Sequence, residues 1–136
     1  MFGRRALCLG ILAVVLTGCA PAERRPVCQA LDALRGAVTA MNTASQAVVA
    51  SDQAEVARLV EEVERLLRVA RGKLAGVGSD TGSGGAARAL LEAANYLEYM
   101  TGQYRTSGRI DFSITQFAAR ELNRASAGAG GPPLNC

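Results

Sequence analysis

The four cysteines at positions 8, 19, 28 and 136 are the residues of this chain best suited to chemistry, because a thiolate can attack carbon, bind a metal or join a second sulfur. Little else competes with them. Histidine is absent, so there is no imidazole base, imidazole metal ligand or histidine-ligated haem. Glu61, Glu62 and Glu64 spread around a helix and face arginines instead of converging on a cation. Met41 and Met100 fall at core-facing positions, where packing outweighs ligation of copper or haem. Asp80-Thr81-Gly82 has the form of a carboxylate triplet that shares a proton with a second copy. It sits between glycines instead of apolar strand residues, and only dimerisation would supply the second Asp. The same glycine-rich stretch lacks the lysine and the spacing of a phosphate cradle. The chain is therefore expected to be non-enzymatic, with no cofactor and no metal site.

Cys19 has the most informative surroundings. Leu16-Thr17-Gly18-Cys19 closes an apolar run, residues 6–15, that begins after Arg4 and Arg5. The run is far shorter than the roughly 20 residues a spanning helix needs. This N-terminus resembles the lipobox of bacterial lipoprotein precursors, a resemblance that covers residues 1–19 and carries no fold or activity with it. It implies diacylation of the Cys19 sulfur, cleavage between Gly18 and Cys19, and a mature protein held on a membrane by its N-terminal lipid. Arg4-Arg5 matches a twin-arginine export signal only loosely through Leu7 and Cys8, so general secretion is the favoured route. Ala20 stands where an Asp would imply retention at the inner membrane, which favours the outer membrane in an organism that has two.

Under that resemblance the cysteines sort themselves. Cys8 leaves with the signal peptide, Cys19 is acylated, and Cys28 and Cys136 remain as one pair in a compartment where disulfides persist. They are expected to be bonded, since a thiol on the last residue of an exported chain is open to oxidation and exchange. Residues 19–136 make one domain by size. Without Arg4 and Arg5, 13 of the 15 basic residues remain against 12 acidic ones, so the mature chain is nearly neutral. No basic stripe with interleaved aromatics is present, and no nucleic acid is expected as a partner.

The elements that hold these residues read as helices. After a spacer, residues 20–26, Leu31, Leu34, Val38, Met41 and Val48 recur at steps of three and four, with Ser45 at the missing step. One residue earlier runs a second seam of Ala30, Ala33, Ala37, Ala40, Ala44 and Ala47, whose small side chains let a partner helix approach closely. This first helix, residues 27–50, is expected to be two-sided and central. Asp52 with Glu55 three residues on forms a capping box for the second helix. There Val56, Leu59, Val60, Val63, Leu66, Leu67, Ala70 and Leu74 share an arc of about 120°. Outside that arc, Glu61 with Arg65 and Glu64 with Arg68 are expected to pair at i,i+4.

A glycine-rich connector, residues 76–85, leads to a third helix over residues 86–105, with Ala86, Leu90, Ala93, Leu97, Met100 and Tyr104 on its inner side. Thr106-Ser107-Gly108 breaks it. Ser113 with Gln116 is expected to cap the fourth helix, and Phe112 to staple onto Phe117. Ile114, Phe117, Ala118 and Leu122 would be its buried stripe. The tail through Pro132-Pro133 to Cys136 cannot be helical.

These elements define an all-α chain in four parts: a cleaved signal peptide, residues 1–18; a lipidated tether, residues 19–26; a single antiparallel up-down-up-down four-helix bundle, residues 27–127; and a Gly/Pro-rich tail, residues 128–136. An even helix count puts both ends of the bundle together, where Cys28 and Cys136 can meet. A long helical hairpin that dimerises as a coiled coil is the alternative arrangement. Two function classes fit. The favoured one is a membrane-anchored interaction or structural module facing an unknown envelope or surface protein; the other is a small apolar-ligand-binding bundle. All aromatic residues after the signal lie between Tyr96 and Phe117, and Tyr99 lies about 160° around its helix from Leu97. A patch of Tyr96, Tyr99 and Glu92 is the candidate partner contact.

Overall fold

Small side chains set how closely the helices of this protein pack. In the computed structural model, which describes residues 2–78 and 82–136 with side chains from Arg24 onward, all six alanines of the seam from Ala30 to Ala47 are buried. Leu31, Leu34 and Met41 beside them are buried as well. They belong to α1 (Phe2–Val49), which touches each of the other helices, α2 (Gln53–Leu74), α3 (Gly84–Ser107) and α4 (Thr115–Ser126). The chain is all-α, and no strand occurs among the described residues. Val48, expected to face inward, is 43% exposed because it lies in the last turn of α1, beyond the main core. The side chains of Leu16-Thr17-Gly18-Cys19, and the residues Asp80 and Thr81, lie outside the described residues.

Local groups set several of the helix ends. The Asp52 carboxylate accepts a hydrogen bond from the Glu55 backbone N–H at 3.0 Å and caps α2 as expected. The other half of the box does not form, because Glu55 holds Arg58 in a bidentate pair. The i,i+4 pairs expected on α2 are likewise replaced. Arg65 takes Glu62 three residues back, and Glu64 is claimed by Arg105 of α3 at 2.8 Å. α3 starts at Gly84, earlier than its apolar pattern suggested, and ends at Gly108, whose φ of 68° is the left-handed conformation that stops a helix.

Ser113 does not cap α4. The Asp111 carboxylate accepts from both the Ser113 N–H (3.0 Å) and its hydroxyl (2.6 Å), so the hydroxyl is a donor there and the entry tightens into a 3-10 turn, Phe112–Ile114. Starting at Thr115, α4 buries Thr115, Ala118, Leu122 and Ala125 and turns Phe117 outward.

Paired contacts give the register between neighbours. A Cβ on Gly36 of α1 would meet Leu66 of α2 at 3.3 Å, while further along Ala47 packs with Val56. Between α2 and α3, Glu64 meets Arg105 and Arg71 meets Glu98 and Asn95. Between α3 and α4, Met100 receives the Thr115 hydroxyl and Tyr96 meets Phe117. In all three pairs the numbers fall on one helix as they rise on the next.

The tail is part of the core. Cys136 is bonded to Cys28 across 108 positions, with the two Cα atoms 5.6 Å apart, as expected. On the way Leu134 is buried and its N–H donates to the Ser126 carbonyl at 3.0 Å. Gly128 turns the chain at φ 96°, where an added Cβ would lie 2.4 Å from the Pro132 oxygen. Gly85 of α3 lets the tail cross, since a Cβ there would come within 2.9 Å of the Ala129 oxygen.

Candidate functional site

Glu92, Tyr96, Tyr99 and Gln103 recur at four, three and four along α3 and so form one stripe. It points away from the core face of Leu90, Ala93, Leu97 and Met100, all of them buried. Tyr99 is 59% exposed, Tyr96 is 36% exposed, and Glu92 is exposed. The three residues singled out in the sequence therefore lie on one open face. The Gln103 amide donates to the Tyr99 hydroxyl at 3.3 Å, which steadies that ring without covering it.

The structure adds two residues to this face that the sequence reading had placed inside or left out. Phe117 of α4 stacks on Tyr96 with ring centroids 5.6 Å apart and planes 26° from parallel, and the Arg120 guanidinium lies 5.3 Å above the Phe117 ring. Phe117 remains 43% exposed. The result is a strip running from Tyr99 through Tyr96 and Phe117 to Arg120, across the seam between α3 and α4. The signal for Phe117 was its place three residues after Ile114 and one before Ala118, which puts it at the edge of the stripe that α4 buries.

Glu55, Glu62 and Glu64 of α2 are engaged by arginines. The Glu64 carboxyl is held below the ordinary carboxylate range by its hydrogen bonds to Arg105, and those of Glu62 and Glu55 by their bonds to Arg65 and Arg58. A carboxyl lowered in this way adds stability above its unfolded value and loses that contribution as pH falls through its folded one. None of the three is poised as an acid at neutral pH. Met41 and Met100 are fully buried and pack as expected. Among the described residues no three of histidine, cysteine, aspartate or glutamate come together to hold a metal ion, and no helix is long and apolar enough to cross a membrane. No protein-family model, curated protein or solved structure matches the chain.

Proposed function

We propose that this chain is an exported bacterial lipoprotein, anchored in the cell envelope through an acylated Cys19, whose four helices form an up-down-up-down bundle that acts as a non-enzymatic interaction module. The outer membrane is the favoured site in an organism with two, because Ala20 follows the acylated cysteine. The opposed numbering across successive helix pairs, and the bond between Cys28 and Cys136, favour the bundle over a dimerising hairpin.

The observation that carries the reading is the exposed strip of Tyr99, Tyr96, Phe117 and Arg120. Three aromatic rings on one face of a domain with only five aromatic residues after position 19 are costly to leave in water without a use. Rigid rings with a polar edge or a neighbouring guanidinium are what protein interfaces use for anchors.

Three results test the proposal. Cys19→Ser is expected to abolish lipid labelling and leave the precursor uncleaved; a Cys19→Ser protein that is processed and labelled as before removes the anchor. A photoreactive phenylalanine at position 99 is expected to crosslink one envelope protein in cells, whereas the same group at Arg68, on the exposed side of α2, is not. Tyr99→Ala should abolish partner capture at position 117 while shifting the melting temperature by less than about 3 °C. A larger thermal loss with capture unchanged makes Tyr99 a packing residue and ends the claim.

A further inference from the structure

At the end of the helices opposite the disulfide, the main core gives way to a small cluster of Ala47, Val56 and Val60 with Tyr104 and Ile110 against it. A cavity of about 260 Å³ opens there, bounded by the end of α1 at Val48, the start of α2 at Gln53 and Val56, and the segment from Gly108 to Phe112 that crosses from α3 to α4. Val56 is buried at its floor, and Val48 is half open at its rim. Gly108, in the left-handed conformation, turns the chain so that Arg109, Ile110 and Phe112 form one wall.

Val48, Val56, Ile110 and Phe112 give the cavity its apolar walls, Gln53 and Arg109 are exposed polar members of the lining, and Arg109 is the one cation among them. The Arg109 guanidinium makes no ion pair or hydrogen bond among the described residues. The carboxylates that adjoin lining residues in sequence are already committed: Asp111, between Ile110 and Phe112, holds Ser113, and Asp52, beside Gln53, caps α2. A volume of about 260 Å³ falls just below the range of roughly 300 to 1,000 Å³ usual for drug-sized ligands. At about 30 Å³ for each water-sized group it holds eight or nine of them. A guanidinium presents two parallel N–H donors that match the two oxygens of a carboxylate.

We propose that this cavity binds a medium-chain aliphatic carboxylate, its chain lying against Val56, Ile110 and Phe112 and its carboxylate on Arg109. The site goes beyond the interaction role and shares no residue with the aromatic strip, so either can fail without the other.

The test uses octanoate carrying a terminal diazirine, added to the full chain in phosphatidylcholine nanodiscs, with labelled residues located by mass spectrometry. Label is expected to concentrate on Val48, Val56, Ile110 or Phe112, and to be displaced by excess octanoate but not by octanol. Arg109→Gln should weaken labelling about tenfold. Ile110→Trp, which fills the cavity, should abolish labelling while circular dichroism stays helical. Label spread evenly over the chain, equal competition by octanol, or undiminished labelling of Arg109→Gln would each overturn the proposal.

Discussion

Replacing Cys28 and Cys136 together by alanine is expected to lower the unfolding free energy by about 4 to 5 kcal/mol, because the bond closes 108 positions of chain and opening it returns that freedom to the unfolded state. Helical circular dichroism before unfolding should be unchanged. The denaturant slope should rise, since an unfolded chain without its cross-link exposes more surface. The measurement is a urea titration of the two proteins side by side. A loss below about 1 kcal/mol would mean that the unfolded chain keeps enough residual structure to hold its ends near one another without the sulfur.

The second large effect is expected from Leu97→Ala. Leu97 is fully buried on α3, in the same core as the alanine seam of α1. Small side chains that already meet closely cannot move in to fill the space a leucine leaves, so the cavity persists. The expected cost is about 3 kcal/mol, or more than about 10 °C in melting temperature. Leu91→Ala on the same helix is the matched control. At 37% exposed, Leu91 should cost less than about 1 kcal/mol. Equal losses for the two would mean that the core is loosely packed and relaxes around the vacancy.

What could be read from the sequence was governed by periodicity. The alanine seam, the α2 arc and the outward direction of Tyr99 all follow from steps of three and four, and each is found in place. What escaped was decided by competition between neighbouring groups or by contacts distant in the chain. Ser113 has the right identity for a cap, but Asp111 lies two residues away with the stronger acceptor. Glu64 and Arg68 have the right spacing, but Arg105 offers a fork from another helix. Gly85 reads as linker and is instead the place where the tail passes, and Leu134 reads as tail and is instead core. The candidate partner face was half legible: Glu92, Tyr96 and Tyr99 through helical phase, Phe117 and Arg120 only once α4 was laid beside α3.

Joining the last residue to Cys28 also makes residues 28–136 a covalent ring. A protease that cuts once inside the ring, in the glycine-rich segment between α2 and α3 for instance, leaves two pieces still linked through sulfur. Whatever holds the chain upstream of Cys28 keeps both of them. If the chain is anchored upstream of Cys28 as proposed, releasing any part of residues 28–136 takes a cut before Cys28, two cuts within the ring, or one cut followed by reduction, and a single nick within the ring leaves its full mass attached.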